Sequence, residues 1–170
     1  MTSLSNIGDF ATASLGIAPI TVRETDSIAG AEVSVSLRLV RVGRSLLQQR
    51  DGAVVAFALF HEVGHIYAAD MFQGKAAPTP HDDEYIADRV GGWLCAAYGV
   101  NFGSASATAQ TWVAQHYGAT NLDGFTRAPL SERVAITLGL DATATHPSGT
   151  TRAQVIADGI LTFLSGKPPL

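Results

Sequence analysis

Between Val33 and Leu39 the chain alternates strictly: Val33, Val35, Leu37 and Leu39 are apolar, and Ser34, Ser36 and Arg38 fall between them. Successive side chains of an extended strand point to opposite faces, so this period of two predicts a half-buried strand over Val33–Leu39. The alternation slips at Val40 and Gly43 follows, which predicts a bulge, or a turn into a helix beginning near Arg44. The mix of β-branched and polar residues suits an edge strand, whose unpaired backbone groups can take up an extended peptide. Upstream, Ile20–Arg23 reads as a short strand and Thr25–Gly30 as a turn or loop. Asp9 is placed to cap a short helix through Ala13 and Leu15 that Gly16 and Pro19 stop.

From Asp51 the rhythm changes to that of helices. Asp51 can cap a helix that runs through His61 and His65 to about Phe72, apolar almost all round in its first half and therefore expected at the centre of the fold. Gly74–Pro80 interrupts the pattern. A second helix is expected from about Asp82 to Tyr98, with Asp82, Asp83 and Glu84 in the first turn, where carboxylates favour the helix dipole, and Gly99 at its end. Ser104 to Tyr117, closed by Gly118, reads as a third helix, and Pro129 to Leu140 as a fourth. Pro147 opens a fifth with an apolar face of Val155, Ile156, Ile160, Leu161 and Leu164, before a Gly166–Leu170 tail expected to fray. The elements predict a mainly helical α+β fold with a small N-terminal sheet, in a single domain spanning residues 1–170.

Composition narrows the function classes. Hydrophobic residues make up 46% of the 170 and charged residues 15%, enough for a packed core. The net charge of -4 and scattered basic residues, of which Arg38, Arg41 and Arg44 are the densest group, argue against nucleic acid as a partner. Met1–Ala18 lacks the basic start and apolar stretch of a secretory signal, and the most apolar run, Ala53–Phe60, is far below the roughly 20 residues of a membrane span. A cytoplasmic protein without a transmembrane segment is expected. Cys95, the only cysteine, lies in an apolar run and reads as a buried structural thiol.

The candidate chemistry is His61-Glu62-Val63-Gly64-His65, an H-E-x-x-H arrangement within a predicted helix. Positions four apart share a helical face, so both imidazoles can reach one ion, while Glu62 stands beside them as a base for water. A catalytic zinc site normally has three protein ligands, and Glu84, nineteen positions after His65 and across the Gly/Pro break, is the candidate for the third. Asp88, one turn further, is placed to accept the second ring proton of a ligand histidine. The same histidines could instead be polar residues satisfied at the edge of a core, but three titratable groups buried without partners would cost several kcal/mol. The spacing therefore favours a metal, expected to be one Zn2+ per chain, with manganese and cobalt open to the same ligands.

These residues resemble the gluzincin metalloproteases, in which an H-E-x-x-H helix is followed by a helix bearing E-x-x-x-D, here Glu84-Tyr85-Ile86-Ala87-Asp88. Within that group the chain is most similar to the M48 family, the relatives of the CAAX-prenyl protease and of a heat-shock protease, on several shared elements. Asp70 follows the first motif, Glu84, Ala87 and Asp88 fit an E-x-x-A-D second motif, and His146, Pro147 and Arg152 fit a late H-P element followed by an arginine. Val42–Gln48 is similar to the segment that leads into the catalytic helix, and the resemblance covers about Ala31–Ile156. The connection between the two metal motifs is shorter than in most of that family. The resemblance implies a zincin-like fold, zinc on His61, His65 and Glu84, catalysis by Glu62, and a contribution from the region of His146 to stabilising the oxyanion. Arg152 is expected to pair with Asp88 or Asp70 behind the ligands.

The function expected is a zinc-dependent endopeptidase whose peptide or protein substrate adds to the Val33–Leu39 edge. The alternatives are a zinc amidohydrolase acting on another small amide, or a zinc-containing interaction module without catalysis. A regulatory protein partner that opens the cleft is also compatible with the sequence. His81, His116, Tyr67, Tyr85 and Tyr117 are weaker candidates, and Trp93 and Trp112 read as core aromatics.

Overall fold

A computed structural model describes residues 4–48, 52–73, 80–102, 130–138 and 149–170. In chain order the elements are α1 (Leu4–Leu15), β1 (Thr21–Thr25), β2 (Ala31–Ser34), β3 (Leu39–Gly43), α2 (Arg44–Leu47), α3 (Gly52–Met71), α4 (Pro80–Tyr98), α5 (Leu130–Leu138) and α6 (Gly149–Leu164). The architecture is the expected mainly helical α+β, with one small sheet near the N-terminus. Ser104–Tyr117, His146, Pro147, Asp51 and the flanks of the fourth expected helix lie outside the described residues.

The sheet has the order β1-β3-β2, with β1 parallel to β3 and β2 antiparallel to it. Val40, at the centre of β3, sits opposite both Val22 and Val33 in register, and Val40 and Val42 are fully buried. The expected continuous strand over Val33–Leu39 is not formed. The chain turns at Val35–Arg38, and the slip at Val40 marks the return strand of a hairpin. Leu37 is left 71% exposed at the tip. The turn is held from below by Arg38, which donates to the carbonyls of Ala18 and Pro19 and to Asp70 Oδ1 at 2.7 Å.

α1 begins earlier than Asp9, which therefore sits within the helix and not at its cap. Its Phe10 meets Phe60 of α3 and Tyr98 of α4 in a three-ring cluster, with centroids 5.0–5.9 Å apart, that docks it on the core. α3 runs through the middle of the fold: Leu59, Phe60, Val63 and Ile66 are fully buried, as its all-round apolarity requires. Its 20 residues are long and apolar enough to cross a membrane by length and composition, a longer stretch than the Ala53–Phe60 run alone, and it packs on α4 and on the sheet.

Close approach between the long helices depends on missing side chains. A Cβ on Gly64 would stand 2.5 Å from Ala87 Cα, and one on Gly92 would stand 2.2 Å from the carbonyl oxygen of Ile156. Gly64 thus lets α4 lie directly against α3, and Gly92 lets α6 lie against α4. The C-terminal tail, expected to fray, is pinned instead. Trp93 Nε1 donates to the Lys167 carbonyl at 2.9 Å, Arg89 Nε donates to the Pro169 carbonyl at 2.7 Å, and Pro169 is buried.

Candidate metal centre

His61 and His65 project from one face of α3, four residues apart, toward the N-terminal half of α4. Because Gly64 admits the Ala87 backbone, the carboxylate of Glu84, one turn before Ala87, falls opposite the two rings. One ligand atom from each of His61, His65 and Glu84 lies within 4.8 Å of the others. The two Nε2 atoms are 3.2 Å apart, Glu84 Oε2 is 3.5 Å from that of His61, and Glu84 Oε1 is 3.8 Å from that of His65.

These spacings suit a shared ion. Two nitrogens each about 2.0–2.1 Å from a tetrahedral zinc ion stand about 3.3 Å apart, close to the separation of the two imidazoles. Two ring lone pairs facing each other at such a distance repel unless a proton or a cation lies between them. The surrounding charge points the same way: Glu62, Asp83, Glu84 and Asp88 gather around the rings, with Arg152 as the guanidinium that enters the group. The donor set therefore fits a divalent cation. Nothing in it selects zinc over another ion.

Each imidazole meets a carboxylate on its far side. Asp88 Oδ1 lies 2.9 Å from His61 Nδ1, within reach but off the line of a straight N–H donation. Asp88 is fully buried, and Arg152 reaches it through both Nε and Nη2, at 2.8 and 2.7 Å. Of the two partners considered for Arg152, Asp88 is the one it takes. Asp70 does not belong behind the ligands: it faces Arg38 of the hairpin. At about 100° per residue it is turned roughly 140° away from His65 around α3, which accounts for the difference.

The second carboxylate is one the sequence reading assigned only to the helix dipole. Asp83 Oδ2 is 2.8 Å from His65 Nδ1. Because α4 begins at Pro80 and not at Asp82 as expected, Asp83 closes its first turn and Glu84 lies just beyond it; no signal in the sequence separates a carboxylate facing His65 from one serving the helix dipole.

The charges move the titrations as their surroundings dictate. Burial disfavours the His61 cation, but Asp88 and Glu84 outweigh it and carry the ring up to about 9. Burial, reinforced by the charge of His61, lowers His65 despite Asp83 and Glu84. Burial pushes the Glu62 carboxyl up to about 7; His61 opposes this, and Glu84 and Glu32 add to it. Asp88 is also penalised by burial, yet Arg152 and His61 hold it below the usual carboxylate range.

All of these groups except Asp88 line one cleft of about 680 Å³. Ala31, Glu32 and Val33 of β2 form one wall, and β2 is an edge strand paired only with β3 among the described residues. Val54, Phe57 and Ala58, on the turns of α3 before His61, make an apolar wall together with Leu138 of α5. The edge expected over Val33–Leu39 is realised only at Val33 and Ser34, as the end of β2, and the apolar wall was not expected from the chain. His146, expected over the metal, lies outside the described residues, as do His116, Tyr117 and the side chain of His81. Tyr67 and Trp93 pack against the core.

The fold and the site define a mainly helical α+β protein with a three-residue cluster able to hold a metal ion. In comparisons with known proteins, the chain matches no family model, no curated protein and no solved structure.

Proposed function

We propose that this chain is a zinc-dependent endopeptidase of the gluzincin type, similar to the M48 family, with a zincin-like core. The observation that carries the reading is the convergence of the two Nε2 atoms and the Glu84 carboxylate within 4.8 Å on a cleft that Glu62 also lines. His61, His65 and Glu84 would hold the ion, which when bound supplies Lewis acidity to a scissile carbonyl and makes water more acidic. A site that only stabilises structure has no use for a further carboxylate facing the cleft, so Glu62 favours catalysis.

In this reading an extended peptide pairs with the free edge of β2, which lays its backbone across the cleft. The Val54, Phe57, Ala58 and Leu138 wall then receives an apolar side chain next to the bond that is cut. Glu62 takes a proton from the attacking water as its oxygen bonds to the carbonyl carbon. The same carboxyl then delivers that proton to the nitrogen as the carbon–nitrogen bond breaks. Asp88, fixed by Arg152, keeps His61 in place through the cycle. His146 is proposed as the second stabiliser of the oxyanion.

The test is metal stoichiometry by mass spectrometry on the native chain and on Glu84→Ala, paired with cleavage of a peptide library. About one zinc per chain, lost in the variant, together with cuts beside apolar residues, is the expected result. A well-folded native chain that takes up no zinc would remove the proposal.

A further inference from the structure

The two histidines of the cluster are not held alike. His61 is wedged in the fold: Phe57 lies against it with ring centroids 5.8 Å apart, and its far nitrogen faces a carboxylate that is fully buried and clamped by Arg152. His65 faces Asp83, a side chain 41% exposed in the first turn of α4. Of the two carboxylate contacts at Nδ1, the 2.8 Å one between His65 and Asp83 has the alignment of a hydrogen bond.

We propose that Asp83 is a positioning residue for metal capture: by accepting the Nδ1 proton of His65 it fixes the tautomer and ring orientation that point Nε2 at His61 and Glu84. The inference rests on the metal reading and concerns a residue that reading does not use. A neutral imidazole carries one proton on either nitrogen, and only the Nδ1–H form leaves Nε2 free to bind a cation. An imidazole can also turn over about its bond to Cβ, which would offer a carbon in place of Nε2. A carboxylate at Nδ1 disfavours both errors, because each places an acceptor opposite something that cannot donate. At His61 the surrounding core enforces the orientation as well. At His65 the task falls to a half-exposed side chain, so the second ligand is set by a contact that a single surface-level substitution removes.

The decisive experiment measures zinc affinity by competition with a chromophoric chelator for the native chain, Asp83→Ala and Asp83→Asn. Circular dichroism confirms that each is folded. Loss of a supporting carboxylate costs about 10- to 100-fold in metal affinity, so Asp83→Ala is expected to bind that much more weakly. Asp83→Asn, whose amide oxygen still accepts from Nδ1–H, is expected to recover part of the loss. Long-range 15N–1H spectra of the zinc-free imidazoles, recorded above the His61 value of about 9 so that its cation does not donate Nε2–H to His65, give the readout that a merely structural role would not move. In Asp83→Ala the His65 signals should shift from the Nδ1–H pattern toward a mixture, and those of His61 should stay as they are. Native affinity in Asp83→Ala, or an unchanged His65 tautomer, overturns the role of Asp83 while leaving the metal site standing. Absence of zinc binding by the native chain overturns both.

Discussion

Replacing Arg152 with methionine tests the support behind the metal ligands most directly. Asp88 has no exposed surface and Arg152 only 14%, and two charge-assisted hydrogen bonds of 2.8 and 2.7 Å join them. Arg152→Met keeps most of the apolar stem and leaves the buried Asp88 carboxylate facing the His61 ring without its guanidinium. Breaking a buried pair from one side costs about 3–5 kcal/mol, because the remaining charge is uncompensated. For a chain of this size each kcal/mol moves the melting temperature by about 2–4 °C, so metal-free Arg152→Met should melt roughly 6–20 °C lower at neutral pH. The sign of the pH dependence follows from Asp88. In the native chain its carboxyl is held below its ordinary value, so its contribution is present above the unfolded pKa of about 3.9 and fades as pH falls through the folded value. Without Arg152, burial raises that carboxyl, and the penalty for ionising it disappears once acid protonates it. The gap between variant and native chain should therefore be widest near pH 7 and narrow below about pH 4. Thermal unfolding followed by circular dichroism across pH reads both quantities. Adding Asp88→Leu to Arg152→Met removes the orphaned charge and should recover much of the loss. A deficit under about 1 kcal/mol at pH 7, or one that does not change with pH, would refute the account of a buried, charge-paired support.

Three further outcomes follow from the site and its packing. Under the proposed function, Glu62→Gln should bind zinc as the native chain does and lose about 10²–10⁴-fold in kcat on a cleaved peptide, as removal of a general base does; loss of metal along with activity would place Glu62 among the ligands instead. Gly64→Ala puts a Cβ 2.5 Å from Ala87 Cα, so α3 and α4 must separate by about 1 Å to restore ordinary contact. That should cost about 1–3 kcal/mol in thermal unfolding and weaken zinc binding as Glu84 retreats, and full retention of both would show that α4 accommodates the methyl by sliding. Burial holds the Cys95 thiol well above its ordinary value, so it should be inert to Ellman's reagent in the native state at pH 7.5 and react once the protein is unfolded in guanidinium chloride.

What the sequence made legible was local and periodic. The i, i+4 pairs His61/His65 and Glu84/Asp88 each share a face by helical geometry, and the structure brings the two pairs together. The hairpin escaped because its turn, Val35-Ser36-Leu37-Arg38, contains no Gly, Pro, Asn or Asp, and its one turn-favouring residue, Ser36, also fits the strand alternation. Arg38 adopts φ of 49°, a conformation uncommon outside glycine and asparagine, and its long-range bonds to Ala18, Pro19 and Asp70 hold it there. The tail escaped for a related reason. A Gly-Lys-Pro-Pro sequence has no local reason to be ordered, and its order comes from Arg89 and Trp93, more than seventy positions away. Asp83 was visible in the chain but had a sufficient explanation in the helix dipole, and only the direction of the His65 ring distinguishes the two roles.

The ligands, the base and both supporting aspartates all lie between positions 61 and 88, on two helices joined by a short connection, while the β2 wall of the cleft and Arg152 come from distant parts of the chain. Contacts between near neighbours in sequence form first, because little loop entropy opposes them. The α3–α4 hairpin can thus bring its ligands together, and gain the binding energy of an ion, before the sheet and α6 have docked. Under the proposed function, metal capture would come early in folding and substrate capture late, because a half-folded chain would hold its ligands together before it had the strand edge on which a peptide aligns.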